Sequence, residues 1–566
     1  MSKALEQMQE KYDYLLSKRK AYDSNYSDVK KYITPDRGRY LSGDSKSDAS
    51  SNLDYSQITN SRQCMASTIF VSGLQSGTTP KTTPWFEYVA PDIELMKIPR
   101  VAQWCKEINT ITRKQTFASN FYDTSYNVYW ELGNMGTAPM SLVDNNSGIY
   151  GSLVNCRSYT AGEYVLDLNS NLQVDTFYFI QFMTARQMVE HFGIDKVSST
   201  VKDAYKDNNH SDTFKVIQAI EPNDERIDFN RSLTGNRAFR SVYFEADNND
   251  SNNKGDGFLR VRGFEEFPII CPRYRTTSDD IYGTSPAFMA MPDIKMLQSL
   301  ELEFLKALKK VISPPLSVNQ GIHKPNIAPG AINYNTGVYN EDAIKPLFQI
   351  NPDLQNMFHK IKEVEEKIKE IFHNDLFLRM SSGGAATKRM TVPEVQLLND
   401  ERIRIISPTL DKFHYEFLKP AMRRWLIINE RNGLFERFPI PPELLEAGFT
   451  VDFTSSLMQA QKALESVPIE RGASFFTNLA AVAPEVVKLV NWEETAREYA
   501  HSIGFRGKVL KSHEEFTSEV QAEAEQVAAV NQAAALREGA ETAKVMNEAA
   551  QDNPMLENAY TNGVLM

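Results

Sequence analysis

Two long apolar stripes at helical spacing, separated by a segment that cannot be helical, constrain this chain more than any other feature. Ile294, Leu297, Leu300, Phe304, Leu308 and Val311 step by three or four, which predicts a helix of about five turns. Ser313-Pro314-Pro315 ends it, because proline lacks an amide donor and restricts the residue before it. Residues 316–350 are rich in Asn, Gly and Pro and predict no helix. A second helix starts near Pro352, with an apolar face of Leu354, Met357, Phe358, Ile361, Val364, Ile368, Ile371 and Phe372. Its other face is charged, and Glu363–Lys367 and Glu365–Lys369 stand in the favourable i,i+4 order. Two helices therefore bracket an insertion of roughly 35 residues. A plain helical hairpin with a decorated loop has the same pattern.

The segment after the second helix reads LFLRMSSGGAATKRM over 376–390, with Gly383 and Gly384 at its centre. Paired glycines between helices predict a mobile loop, and Arg379, Lys388 and Arg389 give it three cations. Thr391 and Glu394 form a capping box, with Pro393 in the first turn where its missing amide is harmless. The helix that follows runs towards Asn432, with kinks expected at Pro408 and Pro420. Beyond Pro442 the pattern stays helical to about Gly507. Residues 514–551 are dense in Ala, Glu and Gln. Phe516, Val520, Val527, Val530 and Ala534 make a partial heptad seam there, broken at Glu523.

Upstream, Leu5, Met8, Tyr12 and Leu15 predict an N-terminal amphipathic helix, and the polar stretch 42–52 (SGDSKSDASSN) predicts a flexible loop. From about Tyr150 to Ile269 the pattern is β-rich, with strands expected at 164–168, 174–182, 214–220 and 258–261. The run 247–256 (DNNDSNNKGD) reads as an exposed turn. Within this region Thr184 and Gln187 form a capping box for a short helix with an apolar face of Met188, Val189 and Phe192, closed by Gly193. His191 on that helix has no His or Cys at ligand spacing and reads as an ordinary histidine.

Composition narrows the function. Hydrophobic residues make up 42% and charged residues 24%, as in a globular protein, and no apolar run approaches the roughly 20 residues needed to span a bilayer. The N-terminus has no apolar h-region, so cytoplasmic synthesis is expected. Cys64, Cys105, Cys156 and Cys271 are scattered and read as free thiols, not as a disulfide framework or zinc site. The net charge of −11 opposes tight binding to phosphate, although it suits a surface past which nucleic acid slides. No P-loop, H-E-x-x-H, G-x-S-x-G or G-x-G-x-x-G occurs. No enzymatic activity, metal or cofactor is expected. A nuclease built from dispersed carboxylates is the alternative that motifs do not address.

Several blocks, taken in order, resemble the head-to-tail connector (portal) family of podovirus-type phages. They are Tyr32-Ile-Thr-Pro35 with Gly38, Ser72-Gly-Leu74, Thr79-Pro80 and Trp85-Phe86, then Met183-Thr-Ala-Arg-Gln187 with Phe192-Gly193. Glu266-Phe-Pro268, Pro272-Arg-Tyr274, Tyr282-Gly283 with Ser285-Pro286, Pro314-Pro315 and the Thr391–Glu394 box follow. The likeness covers about residues 10–510 and implies an α+β portal fold. Residues 1–280 would be a mixed α/β wing, 281–312 and 352–375 a two-helix stem, and 313–351 a clip. Residues 376–391 would be a tunnel loop, 392–440 a kinked wing helix, 441–512 a helical crown and 513–566 a C-terminal barrel helix and tail. The resemblance further implies a dodecameric ring at one capsid vertex of the virion, with double-stranded DNA passing through its channel. Terminase and then tail adaptor proteins would dock on the clip around Pro329 and Gly330, and major capsid and scaffolding proteins would be neighbours. Arg379, Lys388 and Arg389 would touch the DNA as the loop hinges on Gly383 and Gly384. A solvated surface loop is the plainer reading of the same residues. A smaller-ring adaptor is the competing assembly, but it has no need of two long helices around an insertion.

Overall fold

Helix α1 (Lys3–Tyr32) opens the computed structural model, followed by α2 (Arg62–Thr78), strand β1 (Phe86–Val89), the single turn α3 (Ile93–Met96), α4 (Pro99–Ala118) and α5 (Phe121–Met135). A β-rich stretch follows: β2 (Met140–Asp144), β3 (Val154–Ser158), β4 (Tyr164–Leu168), β5 (Val174–Thr184), the short helices α6 (Ala185–Phe192) and α7 (Ser199–Lys206), then β6 (Thr213–Pro222), β7 (Phe239–Glu245), β8 (Arg260–Phe264) and β9 (Ile269–Ile270). The described residues are 3–41, 54–145, 153–207, 212–224, 236–246, 257–312, 316–318, 344–346, 353–381, 392–480, 483, 485, 489–502 and 513–551. They fall into two compact units, Met1–Gln461 and Lys462–Met566.

The centre of the first unit is a five-stranded antiparallel sheet in the order β4-β5-β6-β7-β8. Alternation along β5 gives it two dry faces. Tyr178 and Ile180 meet Leu5, Met8, Tyr12 and Leu15, so the predicted stripe of α1 is buried along its whole length. Phe177 and Phe179 point the other way, into a core with Tyr159, Tyr164, Ile269 and Tyr282. Each fully buried side chain of the α1 stripe stabilises by about 1.5–3 kcal/mol relative to exposure. α6 forms where its signals predict. Thr184 Oγ1 accepts from Gln187 N, Gln187 Oε1 accepts from Thr184 N at 3.0 Å, and Gly193 ends the helix at φ 89°. Met188 and Val201 of α6 and α7 cover Val216 and Leu259. The last strand begins two residues later than its pattern predicts, because Leu259 belongs to that small core. β7 has no clean alternation, since the pairings on both its sides and both its faces are used.

A second sheet, β3-β2-β9, lies beside the core. The chain continues with α8 (Pro286–Ile312), the short pair β10 (Leu316–Val318) and β11 (Ile344–Pro346), α9 (Leu354–Ile371), α10 (Asn374–Ser381) and α11 (Val392–Phe413). A π-helical turn at His414–Leu418 leads into α12 (Lys419–Arg431). Two kinks were expected here, but α11 runs through Pro408, and the departure from α geometry is the wider turn just before Pro420. A wider turn suits proline, which supplies no amide to the turn behind it. Past the turns α13 (Leu434–Arg437) and α14 (Pro442–Ala447), strand β12 (Thr450–Phe453) interrupts a stretch predicted to be wholly helical. It pairs antiparallel with β1, Phe86 opposite Phe453, so its strand form comes from a partner far away in the sequence. Trp85 is stacked between Phe121 and Phe453, with ring centroids 5.9 and 6.4 Å away.

α15 (Ser456–Ala480), α16 (Trp492–Ser502) and α17 (His513–Gln551) complete the chain. Along α17 the seam residues Phe516, Val520, Val527 and Val530 are exposed. The architecture is α+β, as expected.

Candidate functional site

α8 and α9 pack against each other, as the two apolar stripes predict. Their inner halves are anchored. On α8, Ala287, Ala290, Met291, Ile294 and Leu297 are buried, and on α9 so are Ile361, Val364 and Ile368. Buried Gln298 ties α8 to the segment before α2: its Oε1 accepts from Thr59 N at 2.7 Å and Asn60 N at 3.0 Å, and its Nε2 donates to Asn60 O at 2.9 Å. Glu365 ties α9 to the same segment, accepting from Asn60 Nδ2 at 3.1 Å and pairing with Arg62 at 3.5 Å. This corrects one expectation. Glu365 is drawn to Arg62, and Lys369 pairs instead with Glu366 at 2.6 Å, whereas the Glu363–Lys367 pair forms at 3.0 Å. Phe372 and Phe377 both pack edge-on to Phe70, and Gly73 lies so close that a Cβ there would collide with the Phe377 ring.

The outer half of α8 is different. Leu302, Leu305, Val311 and Ile312 are exposed, as is Phe358 on α9. Charged residues surround them: Lys306 pairs with Glu303 at 2.8 Å and Lys360 with Glu363 at 3.1 Å. β10 and β11 pair antiparallel beyond the helix ends, Leu316 opposite Pro346, and bring the two ends of the insertion together. Pro329 and Gly330 lie outside the described residues.

The loop expected over 376–391 starts later. Helix α10 carries the chain to Ser381, since Leu376 and Phe377 are buried and Asp375 pairs with Arg402 of α11 at 2.9 Å. His373, at φ 51°, makes the turn between α9 and α10. Arg379 is therefore on a helix, while Gly383, Gly384, Lys388, Arg389 and Thr391 lie outside the described residues.

The blocks that suggested a family are packing residues. Gly136 and Gly283 approach so closely that a Cβ on either would strike the carbonyl of the other, and Gly136 also has φ 81°. Arg273 is buried and joins that block to the π-helical turn. Its backbone N donates to Glu416 Oε2 at 2.8 Å and its Nη2 to Glu416 Oε1 at 2.9 Å, with further bonds to the carbonyls of Asp280 and Leu172. Tyr129 shares hydrogen bonds with Thr78 at 2.6 Å and Thr79 at 2.9 Å. Cys105, Cys156 and Cys271 are buried free thiols and Cys64 is half-buried.

Two buried carboxylates have raised pKa values, which in a cleft would suggest acid–base chemistry. Burial pushes both Glu131 and Glu163 up, and the guanidiniums of Arg37 and Arg39 oppose the shift. Each accepts from a backbone amide as well, Ala161 N to Glu131 and Thr160 N to Glu163, both at 3.2 Å. These bonds bind one turn to α5 and account for both groups structurally. Among the described residues no three His, Cys, Asp or Glu side chains converge on a metal-sized space, and no helix is long and apolar enough to cross a membrane.

One cluster is not visible in the sequence pattern. Arg157, Arg260 and Arg262 lie on the side of the central sheet opposite α1, around Tyr243. The only local signal was Arg-Val-Arg, whose alternation puts both arginines on one face of a strand, and the predicted strand stopped at Val261.

A family model described as bacteriophage head to tail connecting protein matches residues 5–510. The chain is 27% identical to a portal protein of Salmonella phage epsilon15 over 552 residues, covering 97% of this chain and 96% of that one. It is 30% identical to a probable portal protein of Bordetella phage BPP-1 over 535 residues, 94% and 93% of the two chains.

Proposed function

The chain belongs to the family of bacteriophage head to tail connecting proteins, and from that membership we propose that it acts as one subunit of a closed dodecameric ring at a single capsid vertex, through which double-stranded DNA enters and leaves the head. The observation that carries the ring is the outer half of the α8–α9 pair. Leu302, Leu305, Val311, Ile312 and Phe358 are apolar and exposed on helices whose inner halves are firmly anchored. Leu302, Leu305 and Ile312 share one face of α8 by their spacing, and exposed apolar side chains grouped in that way suit an interface. In a ring each pair lies against the next, the apolar strip meets a neighbour, and the flanking Lys and Glu side chains face the channel.

In this reading residues 1–280 with 392–440 form the wing, α8 and α9 the stem, 313–351 the clip, and 513–566 a barrel helix and tail. The β1–β12 pairing supports counting 450–453 with the wing and starting the crown after it. Terminase and later tail adaptors dock on the clip near Pro329 and Gly330, and capsid and scaffolding proteins meet the wing. Lys388 and Arg389 reach DNA from the loop that pivots on Gly383 and Gly384, and Arg379 adds its charge from the helix that leads into that loop. The net charge of −11 per subunit keeps the channel from holding phosphate tightly. The subunit works in the virion by shape and field, with no bond made or broken.

Negative-stain images of the purified chain, with native mass spectrometry, test this. Closed rings with a central hole are expected without any cofactor. Monomers and dimers alone, over a wide concentration range, overturn the ring and with it the conduit.

A further inference from the structure

Two charged clusters lie on opposite sides of the central sheet, an acidic one on the first turns of α1, with exposed Lys20 further along the same face, and a basic one across the sheet. On one side the outward surface of α1 carries Glu6, Glu10 and Asp13, all exposed and spaced i, i+4, i+7 along one helical face. On the other side, β8 is an edge strand, and its Arg260 and Arg262 stand in register with Tyr243 and Ser241. Arg157 of β3 lies over the Phe179 ring at 4.5 Å, and the His191 ring sits 6.2 Å from Tyr243. Arg260 stands opposite Tyr243 on the paired strand, and burial holds the Tyr243 hydroxyl above its ordinary value while the charges of Arg262, Arg260 and Arg157 oppose the shift.

None of these arginines makes an ion pair among the described residues. The two carboxylates bordering the adjoining cleft of about 470 Å³ are taken already: Glu163 by Arg39 at 3.3 Å and Glu190 by Arg186 at 2.9 Å. Glu6, Glu10 and Asp13 likewise have no cationic partner there. In a chain of net charge −11, three unpaired guanidiniums gathered on one sheet face are a field awaiting an anion.

We propose that this arginine face receives the acidic side of α1 from the next copy of the chain, as one of the contacts that close the ring. The inference rests on the ring reading above. Because the two surfaces lie on opposite sides of one sheet, the contact is heterologous and propagates in one direction, as a cyclic assembly requires and a two-fold dimer does not. The spacing also fits. Residues i and i+4 on a helix are about 6 Å apart along the axis, and residues i and i+2 on a strand are about 7 Å apart, so Glu6 and Glu10 can each meet one of Arg260 and Arg262. Guanidinium and carboxylate then pair in the fork geometry that favours arginine over lysine. Nucleic acid is the poorer occupant, because three arginines on a chain of net charge −11 neutralise few phosphates.

Charge reversal with rescue tests the contact in the full-length chain. Arg260→Glu with Arg262→Glu, and separately Glu6→Lys with Glu10→Lys and Asp13→Lys, should each raise the concentration for half-assembly by about tenfold, from a few exposed pairs turned repulsive. All five changes in one chain should restore assembly to within about twofold of the parent. Native mass spectrometry reads the ring fraction, and circular dichroism checks folding. If a reversed variant fails to fold, Arg260→Gln with Arg262→Gln is read in the same way. Parent rings with variants that assemble equally well, or no rescue in the combined variant, overturn the contact and leave the ring reading standing. A parent that forms no rings defeats both. If rings persist in the arginine variant while it loses binding to a double-stranded oligonucleotide, the face serves nucleic acid and the proposal falls.

Discussion

Replacing Leu302 and Leu305 with glutamate should prevent ring closure and leave the subunit folded. In the single subunit these side chains are 45% and 39% exposed, so somewhat less than half of each leucine remains to be buried by a neighbour. Full burial of a leucine contributes about 1.5–3 kcal/mol, which leaves about 1 kcal/mol for each of these two. Losing about 2 kcal/mol at one interface lowers its association constant about 30-fold. A glutamate that must shed water to fit the same contact adds a cost of several kcal/mol, and every interface of a closed ring bears the same penalty. Within the subunit the change is at the surface, where substitutions typically stay within about 0.5 kcal/mol. Native mass spectrometry across a concentration series would show rings in the parent, a shifted midpoint for the two alanine substitutions, and monomers for the two glutamates, with unchanged circular dichroism melting throughout. Rings formed by the double glutamate variant at the parent's concentrations would refute the reasoning and place this apolar strip outside any subunit interface.

Three further outcomes are expected. Arg273→Met should destabilise the first unit by about 3–5 kcal/mol, because it leaves the Glu416 carboxylate without its main partner, and urea unfolding would register the loss; a change under about 1 kcal/mol would show that Lys412, 3.8 Å from Glu416, suffices alone. Glu131 holds a proton in the folded chain at pH values where the unfolded chain has released it, since burial raises its pKa. Its contribution to stability is therefore greatest at low pH and is lost as pH rises from about 4.3 towards the folded value, with a slope of up to about 1.4 kcal/mol per pH unit. Glu131→Gln should remove that slope in melting curves between pH 4 and 7 (a range of about three units around the carboxylate values), and an unaltered slope would assign it to another group. Lys388→Ala with Arg389→Ala should leave rings and packaging intact but reduce retention of packaged DNA, most at low salt where phosphate contacts are least screened; equal retention at every salt concentration would return the loop to the solvated reading.

What could be read from residues alone followed the range of the forces involved. The α8 and α9 stripes, the four buried residues of α1 and the Thr184 box are local patterns, and each folds as its spacing predicts. β12 was missed because Thr450–Phe453 is a strand only by virtue of β1, and β7 because sheet neighbours on both sides erase its alternation. Helix geometry alone pairs Glu365 with Lys369, but Arg62 from another part of the chain stands closer to it. The arginine face is assembled from β3 and β8, elements that only the folded sheet brings together.

Family and mechanism are also written in different residues. The blocks that led to the family are positions where packing tolerates almost nothing: Gly136 against Gly283, Trp85 between two phenylalanines, Arg273 threaded to Glu416. Each is a short-range steric or hydrogen-bonding demand, so it can be met by only one residue type and leaves a motif. A conduit for DNA makes no such demand of the groups that face its cargo. Screened contacts of a fraction of a kcal/mol, repeated around a ring, depend on the sign and density of charge and little on which side chain supplies it. Lys388 and Arg389 can therefore serve such a role without forming any recognisable pattern. That is why the first unit could be recognised from its glycines and aromatics, while residues proposed to meet DNA and partners have to be tested by changing them.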